Sequence, residues 1–190
     1  MTNNTSGINT ELQTVTSFDH LGSVITDEGS KPEILFRIAQ TTVLTELKRV
    51  WIDKSISLSS KIRLLRSLVT SIFLYACESW TLTAELQRRI QAMEMRCYRK
   101  IPRISYKDHV KNEEVCVMIK QAIGPHEDLL TNVKRRKLQW YGHISRSSGL
   151  AKTILQGTVK GGRRQGGQRK RWEDNIWLEN HLWCPNDPRG

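Results

Sequence analysis

Between Leu129 and Trp172 the chain runs forty-four residues with twelve lysines and arginines and no aspartate or glutamate, more positive charge than the net +11 of all 190 residues. Like charges held close together oppose compact folding unless something neutralises them. The pattern therefore points to phosphates, and to nucleic acid as their commonest source. The cations fall into two groups. Lys134, Arg135, Arg136 and Lys137 are consecutive, while Lys160, Arg163, Arg164, Arg169, Lys170 and Arg171 alternate with glycine pairs in KGGRRQGGQRKRW. Glycine lets a backbone follow a phosphate chain, so the second group reads as a flexible basic arm. A solvated basic face or a nuclear-import signal is the plainer account of the same charge.

Catalytic chemistry is not legible. Two-metal nucleotidyl transfer needs carboxylates converging on both ions, and the sequence has no Asp-Asp pair. Its adjacent acids, Asp27-Glu28, Glu113-Glu114 and Glu173-Asp174, fall in a turn and at two helix starts, where capping and the helix dipole account for them. Neither a nucleophile elbow, nor a phosphate-loop, nor an H-E-x-x-H motif is present. His143 reads as a histidine near a helix end, and Glu78 with Trp80 as a structural corner. Cys77, Cys97, Cys116 and Cys184 are widely spaced without a C-x-x-C pair, which suits reduced thiols; His181 and Cys184 have ligand-like spacing but lack the close second pair of a structural zinc site. No cofactor is expected for this chain.

The elements that must carry the basic groups are helical. Apolar residues from Phe18 to Ile25 lead into the turn signal Thr26-Asp27-Glu28-Gly29, an extended segment or hairpin. Ser30 and Glu33 have capping-box spacing with Pro32 in the first turn, so a helix should start near Lys31; its apolar face is Ile34, Ile38, Val43, Leu44, Leu47 and Trp51, with Arg37 on the surface. A second helix follows Ser57, burying Ile62, Leu65, Leu68, Val69, Ile72, Phe73 and Ala76. A third follows Thr81 or Thr83, burying Leu86, Ile90, Met93, Cys97 and Ile101 until Pro102 stops it. Asn112 reads as the cap of a shorter helix ending near Gly124-Pro125. The next helix runs from about His126 to Ser145, burying Leu129, Val133, Trp140 and Ile144. Four consecutive residues go right round a helix, so the quartet from Lys134 to Lys137 cannot share one face, and part of it must approach the core boundary. Trp172, Trp177 and Trp183 read as a short amphipathic end that docks back on the bundle.

The expected fold is mainly α: a disordered N-terminus (1–17), a β-hairpin (18–30), a helical bundle (31–156) and a flexible basic tail with a Trp-rich end (157–190). The polar first ten residues lack the basic start and apolar run of a secretory signal, and the longest apolar patch, Leu68 to Ala76, is too short to cross a bilayer. No membrane partner is expected, and an intracellular location, nuclear or cytoplasmic, is.

Six segments in order, FDHLGSVITDEG, LYACESWTLT, MRCYRKI, NEEV, RRKLQWYGHISR and GGQRKRWEDNI, resemble the carboxy-terminal region of non-LTR (LINE-type) retrotransposon endonuclease/reverse transcriptase polyproteins. The resemblance covers about Phe18 to Ile176. It implies that Phe18, Leu21 and Gly22 belong to a primer-grip hairpin at the end of the palm, with His20 where the family has Tyr, and that the helices are a thumb holding the template-primer duplex. It also implies that the catalytic Asp-Asp and the endonuclease would precede Phe18, so that the chain looks like a partial reading frame, and magnesium would be needed only together with the missing palm. The expected function is a catalytically incomplete reverse transcriptase that binds RNA or DNA without sequence preference. Two alternatives stay open: the C-terminal piece of an active RNA-directed DNA polymerase, its catalytic half missing from the gene model or supplied by another chain, and a domesticated helical interaction protein.

Overall fold

The computed structural model describes residues 15–46, 48–156 and 172–176. Two short antiparallel strands, β1 (Ser17–His20) and β2 (Ser23–Thr26), precede α1 (Lys31–Leu44), α2 (Lys48–Ile52), α3 (Leu58–Phe73), α4 (Ala84–Lys100), α5 (Asn112–Ile123), α6 (Leu129–Arg146) and α7 (Leu150–Gln156). Residues 172–176 add one helical turn. The fold is mainly helical with an N-terminal hairpin, as the sequence patterns predict. No helix among the described residues is long and apolar enough to cross a membrane. Residues 1–14, 157–171 and 177–190, and with them most of the disorder expected for 1–17 and the flexible arm, lie outside the described residues, while Ser17 opens β1.

The start signals of α3 and α4 act as expected. The Ser57 side chain accepts from Ser60 N, and that of Thr83 from Leu86 N, each satisfying one orphan donor of a first turn. Asp128 does the same for α6, accepting from Thr131 N. Gly124 ends α5 with φ 84°, a conformation that costs a glycine nothing. Asn112 is not the cap of α5: Lys111 holds that position without a side-chain bond, and Asn112 Oδ1 accepts from Arg99. Helix α4 lies at the centre, packed against α1, α5 and α6. Ile62, Leu65, Phe73, Ile90, Val115, Ile119 and Val133 form the core between α3, α4, α5 and α6.

The bend of the hairpin lies at Leu21 (φ 50°) and Gly22 (φ 79°), earlier than the Thr26-Gly29 turn signal. Two successive positive φ angles match the right-handed twist of the strands in a two-residue hairpin. The left-handed conformation is costly for Leu21, and its carbonyl is held by Tyr75 Oη at 2.6 Å. Arg37 Nη2 donates to the next carbonyl, Gly22 O, while Val24 N donates to Glu33 Oε2 at 2.7 Å.

Those bonds explain where α1 departs from its expected face. Its buried stripe is Glu33, Ile34, Arg37 and Thr41, whereas Val43 is exposed. Arg37 is buried rather than on the surface because the hairpin presents backbone groups that need charged partners. The pair Glu33–Arg37, 2.7 Å apart, supplies both signs. The Ser30/Glu33 capping box does not form, since Glu33 faces the hairpin and Ser30 Oγ accepts from Thr81 N at 2.9 Å. Leu47 lies outside the described residues.

Candidate nucleic-acid interface

Helix α6 distributes the quartet round its circumference. Arg135 faces solvent and bonds Glu127 Oε2 at 3.1 Å and Asn132 Oδ1 at 2.8 Å; Lys134 is half-buried. Arg136 reaches the corner between α3 and α4, donating to Leu74 O at 3.1 Å, with Glu78 Oε1 at 3.7 Å. Lys137 is 0% exposed. It therefore leaves the candidate interface: its ammonium donates to Trp80 O at 2.7 Å and to Asn175 Oδ1 at 3.0 Å, and lies 5.0 Å from the centre of the Trp172 ring. A buried ammonium is tolerated only where acceptors and an aromatic face replace its water.

The same corner seats residues 172–176. Asn175, 1% exposed, accepts from Leu82 N and donates to Leu82 O, both at 2.8 Å, as another strand's amide would. Trp172 Nε1 donates to Glu78 O at 2.7 Å, and its ring meets Trp140 edge-on at 5.2 Å. Trp140 is accordingly a partly exposed docking surface and not the core residue expected. Parts of three of the six segments, 74–83, 135–146 and residues 172–176 of the last, thus meet at one corner, and the polar groups that meet there are bonded to backbone. Trp172 docks as expected; Trp177 and Trp183, His181 and Cys184, and the arm cations Lys160, Arg163, Arg164, Arg169, Lys170 and Arg171 lie outside the described residues.

A basic surface missed in the sequence lies on α4. From Gln87 to Lys107 there are seven lysines and arginines and one acid, Glu94. Glu94 is buried and turned inward, accepting from Leu129 N at 3.1 Å and Tyr98 Oη at 3.0 Å, and burial pushes its carboxyl above the usual range. Arg88, Arg89 and Arg96 are exposed, and among the described residues only Arg89 has a carboxylate partner, Glu85 at 2.8 Å. Arg88 and Arg96 stand eight positions apart, about 12 Å along the axis. The available signal was their spacing within a helix whose apolar positions were already assigned.

Phe18, Leu21 and Gly22 sit together at the hairpin, with Phe18 55% and Leu21 78% exposed. The Phe18 ring stacks on His20 at 6.1 Å. Among the described residues no group of three or more His, Cys, Asp or Glu side chains is placed to hold a metal. Cys77 and Cys97 are buried, and desolvation pushes their thiols up to about 12 and about 11, so neither is an activated nucleophile. His143 is exposed near the end of α6. No protein-family model, no curated protein and no solved structure matches the chain.

Proposed function

We propose that this chain binds RNA or DNA through its phosphates, without sequence preference and without catalysis, as a thumb-and-tail region resembling that of non-LTR retrotransposon reverse transcriptases, in the nucleus or cytoplasm. The observation that carries the reading is unneutralised charge: the run from Leu129 to Trp172 has no acid, and the outer face of α4 presents Arg88 and Arg96 without a carboxylate partner among the described residues. On α6 Lys134 and Arg135 add two further cations, Arg135 paired with Glu127, and the arm cations from Lys160 to Arg171 add more in sequence. Phe18, Leu21 and Gly22 would contact a strand end through an exposed ring and a turn whose carbonyls are already bonded to Tyr75 and Arg37.

The test is binding as a function of salt. With five or six phosphates engaged, log affinity falls against log salt with a slope of about −4 to −5, and unrelated sequences bind alike. Replacing Arg163, Arg164, Arg169, Lys170 and Arg171 by Gln lowers the slope by several units and leaves the helical circular dichroism unchanged. A slope near zero in the unmodified chain would remove nucleic acid as the partner and favour a domesticated interaction protein.

A further inference from the structure

Helix α1 keeps its charges inside and an apolar stripe outside. Glu33 and Arg37 are buried, whereas Phe36, Ala39 and Val43 face outward, Phe36 44% and Val43 68% exposed. With the half-buried Pro32 these residues step by four, three and four, the spacing of a coiled-coil seam. Every residue from Pro32 to Val43 that is exposed or half-buried is uncharged. Two more exposed apolar residues adjoin the stripe. The Arg37 guanidinium carbon lies 5.9 Å from the centre of the Phe36 ring and 4.8 Å from that of Tyr75, so the two rings flank one group, and Tyr75 Oη donates to Leu21 O. A single exposed apolar side chain is ordinary, but a contiguous patch marks an interaction surface.

The stripe is complementary to itself. Phe36 and Val43 stand at equal distances on either side of the midpoint between Ala39 and Gln40. A two-fold axis through that midpoint, with the two helices antiparallel, sets Phe36 of each copy against Val43 of the other and places the small Ala39 at the crossing, where the backbones approach most closely. Charge favours the same arrangement. A chain of net charge +11 repels its own copies over much of its surface, and this face has no charge to do so. Lys31 precedes the stripe and Glu46, paired with Lys100 in its own chain, follows it. Antiparallel pairing brings these opposite signs towards each other, where parallel pairing would set like against like.

We propose that the outer face of α1 pairs antiparallel with the same face of a second copy of this chain, forming a two-fold homodimer through Phe36, Ala39 and Val43. From Pro32 to Val43 the stripe is only about 17 Å long. Even with Tyr75 and Leu21 at its rim it is smaller than a standard interface, so the dimer is weak and reversible, with a dissociation constant on the order of 10 µM. The pairing does not rest on the nucleic-acid function proposed above.

Sedimentation equilibrium of the full chain tests the pairing, after nuclease treatment and in about 0.5 M salt, which removes nucleic acid as a bridge and screens charge repulsion. The average mass rises with concentration from that of a monomer towards twice that value. Val43→Glu and Phe36→Lys each weaken association by about tenfold or more, because each buries an unpaired charge in the pair. Both positions are exposed in the single copy, so melting temperatures move by no more than about 2 °C. Mixed in equal amounts, the two variants associate again, since one Phe36–Val43 contact is intact and the other has become an ion pair. A natural chain that stays monomeric overturns the dimer: if Val43→Glu then melts well below it, another part of the chain covers the stripe, and if melting is unchanged, the stripe is a solvated face. Association that survives both variants overturns it by placing the contact elsewhere. Loss in each variant without recovery in the mixture overturns the antiparallel register. Each result is read without nucleic acid, so the failure of the dimer leaves the proposed function standing.

Discussion

On α6 four cations stand in consecutive positions, and the helix carries one of them, Lys137, inward until its ammonium lies 2.7 Å from Trp80 O; on α4 Arg88 and Arg96 stand eight positions apart and both stay in solvent. The denser cluster is therefore the more structural of the two. Positive charge in a sequence marks an interface only after helical geometry has decided which side chains can reach one. A lysine turned inward becomes a donor for backbone carbonyls, and its loss is felt as stability. An arginine left outside costs the fold nothing and changes only what binds.

That contrast can be broken most sharply at Lys137. Lys137→Ala removes a charged donor from Trp80 O and Asn175 Oδ1, and leaves a cavity, so unfolding free energy falls by about 3 kcal/mol. Arg135→Ala, on the same helix, changes it by no more than ~0.5 kcal/mol because its pair with Glu127 is exposed. Urea denaturation followed by circular dichroism measures both, and equal effects would erase the distinction. Next in size is the pair Arg88→Gln with Arg96→Gln. Stability is unchanged, while the magnitude of the salt slope for nucleic-acid binding drops by about 2, roughly one per phosphate contact. An unaltered slope would assign the outer face of α4 to solvent.

The smallest effect concerns Glu94, the acid that turns inward from the same helix. Burial raises its folded pKa above the unfolded value, so its contribution to stability is fully present below the unfolded value and is lost as pH rises through the folded one. Glu94→Gln keeps an acceptor for Leu129 N and removes that loss. The variant should match the natural chain near pH 4 and melt about 2–4 °C higher at neutral pH. A neutral-pH melting point below that of the natural chain would mean that the ionised carboxylate is worth more at the start of α6 than its desolvation costs.

The helices were legible because their signals are local. Ser57 and Thr83 cap the helices they precede, and Ile62, Leu65, Val69 and Phe73 recur at helical spacing and are buried together. What the sequence hid was long-range. Nothing near Arg37 says that a hairpin carbonyl fifteen residues away needs a guanidinium, so the residue read as surface. Lys137 was hidden likewise, although the impossibility of placing four consecutive cations on one face signalled that some would approach the core. The Arg88 and Arg96 face is visible in principle from their helical spacing, but its charge is less dense than that of the acid-free run further along. The Trp51 indole N–H, buried without an acceptor among the described residues, has no sequence signature at all, because its state depends on which carbonyls surround it.

The clasp between Leu82 and Asn175 joins residues 93 apart in sequence. Contacts of such separation add loop-closure entropy to the search for the native state and slow it. On a ribosome making a chain in order, α3, α4 and α5 can assemble from local contacts long before residues 172–176 are synthesised. Until then Leu82 lacks both amide partners, and Lys137 lacks the Asn175 oxygen. The corner is finished last, so a chain stopped before Trp172 would expose the bare edge of that corner to quality control even though most of its helices had formed.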